Sequence, residues 1–225
     1  MFTNDSKINQ LFNNLDTWRH LPAYQLERRA DIFFSLYLAE VLQKKFGLSG
    51  APILIPEFPI QYGLIPKLKG SAGENQSFKI DYLAAGNDEK GGLRAFFIEL
   101  KTDNNSIGQS QVANMHAASS LSLKTLISVI PAMQKKSKAK EKYEQLKIQT
   151  NNIENWNSIP TIVFIMPKTL IEKQLNTLDN DARDAFEKSA KITFDEFATI
   201  VEKHPDYLSL RFAKSLREWA NDEAG

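Results

Sequence analysis

Two apolar runs broken by carboxylates constrain this chain more than any other feature of its sequence. Ser77 to Ala84 reads SFKIDYLA, Leu93 to Lys101 reads LRAFFIELK, and the stretch between them contains GNDEKGG. Strand-forming residues on both sides of a Gly/Asn/Asp turn predict an antiparallel hairpin. A buried sheet does not ordinarily accept acids, yet Asp81 interrupts the first strand, and Glu99 and Lys101 interrupt the end of the second. Side chains two apart on a strand share a face, so Glu99 and Lys101 point one way and Leu100 the other. If the strands pair, Asp81 can stand beside Glu99. Adjacent carboxylates repel, and partial burial raises the cost unless a counter-charge or a metal resolves it. A divalent cation does so, since Mg²⁺ typically takes one or two carboxylates with water and phosphate oxygens. The competing reading is an exposed Glu99–Lys101 ion pair at a strand end, with Asp81 starting a turn.

Around the hairpin, helical and strand periods follow one another. Leu26, Ala30, Phe33, Phe34, Tyr37, Leu38 and Val41 recur at steps of three and four. That spacing predicts an amphipathic helix over 22–46, with Pro22 in its first turn and Gly47 as its stop. A shorter helix is expected from Lys7 to Trp18. Ala51 to Tyr62 holds Ile53, Leu54, Ile55, Phe58 and Ile60 with prolines nearby, the pattern of an edge or irregular strand. Gly63 to Gln76 reads as a loop or hairpin arm. After Lys101 a polar stretch, with Asn105 and Ser106 as caps, leads into a helix over 109–120. A further helical stretch over 123–149 is interrupted near Pro131, and Asn151 to Ser158 is a loop. PTIVFIM, from Pro160 to Met166, reads as a central strand covered on both faces. Helices are expected over 168–188, 194–203 and 207–221, and Ile192 to Phe194 adds a short strand. The order predicts an α/β fold with a mixed central sheet flanked by helices.

Composition narrows the chemistry. The 225 residues suit a single domain over 1–225, with a core at about 22–166 and a helical region at about 167–225. A chain of this size buries roughly 70% of its unfolded surface and needs no staple. It contains no cysteine, which removes thiolate catalysis, zinc–cysteine sites and disulfides. No basic start followed by an apolar run opens the sequence, and no run approaches the roughly 20 apolar residues that span a bilayer. A cytoplasmic protein without a membrane partner is expected. Net charge is +1, and the basic run KKSKAKEK from Lys135 to Lys142 reads most simply as a solvated helix face. His20, His116 and His204 lack metal-ligand spacing, and no phosphate-cradling glycine loop occurs.

Asp81 on one strand, Glu99-Leu100-Lys101 on the next, a helix before and a helix after: in this arrangement the chain resembles the PD-(D/E)xK nuclease superfamily, also called restriction-endonuclease-like. The resemblance covers about 26–166, with Ile80 standing where the pattern commonly has proline. It implies a restriction-endonuclease-like core with a helical C-terminal addition. The implied activity is metal-dependent, endonuclease-type hydrolysis of phosphodiester bonds, with DNA as the expected polymer. Asp81 and Glu99 would ligate Mg²⁺ or Mn²⁺, with the Leu100 carbonyl as a further ligand. Lys101 would orient or help deprotonate the attacking water and stabilise charge growing on the phosphate. Many members add an acid from the first helix. Glu27 and Glu40 both qualify, each about 70° from the centre of the apolar stripe, and Glu27 is favoured by its place near the helix start. Ordinary boundary positions explain both equally well. Gln109 and Gln111 open the helix after the motif, where some relatives carry a functional glutamine. The usual aromatic partner is replaced by Ala113 and Met115, so a plain helix N-terminus is an equal reading. Double-strand cleavage by this fold would call for a homodimer. The alternatives are a catalytically inactive nucleic-acid-binding or assembly module of the same fold, and an unrelated α/β domain with a structural ion network.

Overall fold

A computed structural model of the chain describes residues 4–21, 24–65, 76–102 and 108–221. Pro22, most of the expected loop before Gln76, and Asn105 and Ser106 lie outside the described residues. Five strands form one mixed sheet flanked by helices, in the order β1-β2-β3-β4-β5. They are β1 (Ile53–Gln61), β2 (Ser77–Asn87), β3 (Leu93–Leu100), β4 (Pro160–Met166) and β5 (Ala190–Thr193). The helices are α1 (Asn4–Trp18), α2 (Leu26–Phe46), α3 (Gln109–Ala118), α4 (Leu123–Ser128), α5 (Ile130–Lys136), α6 (Lys140–Thr150), α7 (Lys168–Thr177), α8 (Asn180–Lys188), α9 (Phe194–Val201) and α10 (Tyr207–Asn221).

Packing divides the chain into two compact units. One comprises Met1–Lys45, Leu100–Gln109 and Phe164–Gly225; the other comprises Phe46–Glu99 and Ser110–Val163. In the first, α1, α2, α9 and α10 converge on Phe212, whose ring lies 5.4 Å from Phe34, 5.9 Å from Phe12 and 6.2 Å from Trp219. Each of these aromatic side chains is fully buried, and each such burial contributes about 1.5–3 kcal/mol. Beside this core the buried Arg211 of α10 clamps α1. Its guanidinium donates to Asn9 at 3.1 Å, Asn13 at 2.8 Å and Asp16 at 2.6 Å, and Asp16 also accepts from Trp219 Nε1 at 2.8 Å. The start of α10 is held by Asp206, which accepts from the Ser209 amide at 2.9 Å and from its hydroxyl. Because that hydroxyl donates to Asp206, it is the Tyr37 phenol of α2 that donates to Ser209, at 2.8 Å.

In the second unit β1, β2 and β3 form an antiparallel meander. The turn after β2 is built by Asp88, whose Oδ1 accepts from the amides of Lys90 at 3.0 Å and Gly92 at 2.7 Å. Gly91 supplies the positive φ of +80° that the turn requires. Strand β2 therefore runs three residues beyond its expected end at Ala84. Gly47 ends α2 at φ +63°, as its sequence position implied. Strand β1 lies at the sheet edge, which accommodates Pro56 and Pro59. It is irregular as well. Pro56 pairs with Tyr82 and Phe58 with Ile80, but Glu57 between them leaves the ladder with φ +51°.

Two long helical stretches are more divided than their periodicity suggests. The 123–149 stretch breaks at Val129, ahead of Pro131, and again at Ser137–Ala139, giving α4, α5 and α6. The 168–188 stretch breaks where the Asp179 side chain caps the Ala182 amide at 2.9 Å and starts a new helix.

Candidate functional site

The register of β2 on β3 decides where the acids go. Its last pair is Tyr82 with Ile98. Asp81 and Glu99 are the next residue on each strand, just past the ladder's end. Their carboxylates present oxygens within 4.8 Å of each other. Glu99 is 2% exposed, because the strand that carries it, AFFIEL, is buried throughout. Gln111, in the first turn of α3, donates from Nε2 to Glu99 Oε1 and fixes the carboxylate's orientation. Of the two candidate glutamines this is the one brought to the motif, whereas Gln109 is exposed.

Lys101 follows Glu99 by two residues and is 3% exposed. Its amide donates to the Ile165 carbonyl of β4 at 3.0 Å, which pins the backbone immediately after β3. Its ammonium lies 3.6 Å from Glu27 Oε2 of α2. Burial of an unpaired ammonium costs several kcal/mol, so a carboxylate beside it is expected. That ion pair also separates the two first-helix acids. Glu40 instead bonds to Lys44 and to His204 Nε2, the latter at 2.6 Å, and its carboxyl is held below the ordinary value by Lys44 first and His204 second, against an opposing effect of burial. His116 is exposed on α3. Glu57 turns outward, 64% exposed, and pairs with Lys79 at 2.7 Å.

Sequence reasoning missed Thr102, which is 3% exposed and whose hydroxyl has no hydrogen-bond partner among the described residues. Nothing in the sequence marks it beyond its place after the lysine.

The donor set suits a hard cation. Asp81 and Glu99 offer only oxygen, and Mg²⁺ with bonds of 2.0–2.1 Å spans about 4.2 Å between opposite ligands. A separation of at most 4.8 Å needs only a small side-chain adjustment to close on it. Ionised carboxylates this close repel, and a divalent cation between them would relieve that repulsion. Comparison with family models, curated proteins and solved structures returns no match. The functional reading therefore stands on the geometry and the motif.

Proposed function

We propose that this chain is a divalent-metal-dependent nuclease of the PD-(D/E)xK type, acting on phosphodiester bonds in DNA. The observation that carries the reading is the pair of close carboxylates, Asp81 and Glu99, in otherwise apolar strands, with a buried lysine two residues further on. Asp81 and Glu99 would hold Mg²⁺ or Mn²⁺, with the Leu100 carbonyl available as a further ligand. When bound, the cation supplies a Lewis acid and lowers the pKa of water.

The chain's own residues divide the remaining work. Gln111 holds Glu99 in one orientation, so the carboxylate does not have to reorganise as a substrate arrives. Lys101, fixed through its amide on β4, keeps an ammonium in a largely dry setting, where its field on a phosphate is stronger than in water. Its attraction to Glu27 positions the ammonium and offsets its burial. As charge grows on the phosphate oxygens, Lys101 stabilises it; it can also orient the attacking water through one N–H.

Plasmid nicking and single-strand cleavage in Mg²⁺, repeated in EDTA, test the reading beside Asp81→Asn, Glu99→Gln and Lys101→Ala. Loss of at least a hundredfold in each variant is expected. Cleavage that survives Asp81→Asn and Lys101→Ala would overturn the assignment. Binding without cleavage by the wild type would identify the inactive module instead.

A further inference from the structure

The lysine run that reads from sequence as part of one continuous helix is folded into a helical hairpin. Lys135 and Lys136 end α5, Lys138 sits in the turn, and Lys140 and Lys142 occupy the first turn of α6. All five are exposed. Within Lys135 to Lys142 there is one acid, Glu141, so the segment carries +4 in a chain whose total is +1. The remainder of the protein is thus net negative, at −3, so the hairpin holds a local excess of positive charge larger than that of the whole chain.

The hairpin is a fixed mount. Gln134 of α5 donates to the Lys140 carbonyl at 3.1 Å and to Glu144 at 2.9 Å, bridging to α6. Ser137 Oγ accepts from the Ala139 amide at 3.0 Å, and Ile130 and Met133 are buried beneath. Lys147, which pairs with Glu144 at 2.9 Å, lies beyond the Lys135 to Lys142 run.

Lys135 and Lys136 suit the last turn of α5, but Lys140 and Lys142 do not suit the start of α6. Lysines in the first turn of a helix oppose its macrodipole, which favours anions there. Helix α6 also lacks a side-chain cap at Ala139. An incoming anion relieves the repulsion among the lysines and meets the first-turn amides together. Next to the lysines lies a groove of about 490 Å³ between α6 and the β1–β2 edge, lined by Lys79, Lys142, Ser77, Tyr143, Gln145 and Gln149. Its wall offers the Lys142 cation, amides, a hydroxyl and a phenol, groups that contact phosphate and sugar, beside the Glu57 carboxylate with which Lys79 pairs. Among the described residues Ile148 is the one large apolar side chain that α6 exposes, too little to anchor in a bilayer.

We infer that the α5–α6 hairpin is a nucleic-acid docking surface, on which Lys135, Lys136, Lys138, Lys140 and Lys142 grip the phosphate backbone. The naming of the polyanion as nucleic acid rests on the nuclease reading; the concentration of charge does not. The surface binds without regard to sequence, and its affinity falls steeply with salt.

Fluorescence anisotropy with a labelled 30-base-pair duplex in EDTA, at 50 to 200 mM NaCl, tests this on the full chain. Lys138→Glu/Lys140→Glu/Lys142→Glu is expected to bind at least tenfold more weakly at 100 mM NaCl. Its log–log salt slope should be shallower by about two to three, from about 0.9 per duplex phosphate contact. The triple Lys→Gln variant, checked by circular dichroism, should show the same trend to a smaller extent and guards against misfolding by charge reversal. Affinity within twofold of wild type in both variants overturns the proposal, as does a wild type that fails to bind the duplex at 50 mM NaCl. Vesicles containing 30% phosphatidylserine form a second arm: lysine-dependent vesicle binding with lysine-independent DNA binding also overturns it. Asp81→Asn should lose cleavage without binding the duplex more weakly, so failure of the docking surface and failure of the nuclease site give different results.

Discussion

Replacing Asp81 by asparagine keeps the shape of the side chain and removes one of two charges whose oxygens lie within 4.8 Å of each other. At that distance and an effective dielectric constant of about 20, two ionised carboxylates repel by about 3.5 kcal/mol. Water at the partly exposed Asp81 screens part of this, leaving about 1–2 kcal/mol in the metal-free protein. Asp81→Asn should therefore melt higher than wild type in EDTA, by about 3–6 °C for a chain of this length. Cation binding should reverse the ranking. At 10 mM Mg²⁺ and a dissociation constant of about 1 mM, the wild type gains about 1.4 kcal/mol, or about 3–5 °C, and the variant gains little. Thermal melts followed by circular dichroism, with and without Mg²⁺, measure both shifts. An asparagine variant that melts below wild type in EDTA would refute the repulsion argument. Equal Mg²⁺ shifts in the two proteins would refute the site as a cation seat.

Three further outcomes follow from the same geometry. Arg211→Ala removes the buried guanidinium from Asn9, Asn13 and Asp16 and leaves Asp16 without its counter-charge, so urea titration should show a loss of about 3–5 kcal/mol, with Arg211→Met/Asp16→Asn regaining at least half. At Glu57, where φ is +51°, a β-branched side chain is strained; Glu57→Val should cost about 1–3 kcal/mol in the same titration while Glu57→Gly stays close to wild type. Glu40, through Lys44 and His204, and Asp206, through Ser209, have folded-state carboxyls below their ordinary values of 4.5 and 3.8. Their stabilisation is present above those values and is lost as pH falls through the lower folded ones, so the melting temperature should stay level from pH 7 to about 5 and then drop. Ser209→Ala should soften that drop, and an unchanged acid limb in this variant would refute the assignment to Asp206.

The hairpin was legible because its information is local. Alternating apolar residues set the strand faces, the Asp88–Gly92 turn set the register, and that register alone carries Asp81 towards Glu99. Gly47 was legible for the same reason. The choice between Glu27 and Glu40 was not, since both sit at the same angle from the stripe and their distant partners, Lys101 for one and His204 for the other, are more than seventy residues away. Gln111 was weighed evenly against a plain helix start because its bond to Glu99 spans a loop whose path no periodicity describes. The break at Leu178–Asp179 was hidden by an apolar period that continues in phase across a short turn, whereas the break at Ser137–Ala139 falls in a lysine-rich run whose one apolar residue, Ala139, carries no period. The prolines mark the strand that carries Glu57 as irregular, but a glutamate does not mark a left-handed backbone position.

The irregularity of β1 has a consequence for the protein's behaviour in crowded solution. An open sheet edge is a template on which a strand from another molecule can pair, and regular edges therefore invite aggregation. Here Pro56 and Pro59 withhold two amides, Glu57 breaks the run between them, and the exposed Glu57–Lys79 pair sets charge along the rim. At the opposite edge β5 is only four residues long. Intermolecular strand addition at either edge finds few consecutive donors and acceptors, so aggregation of this protein should begin from unfolded chains and leave the native sheet out of the nucleus.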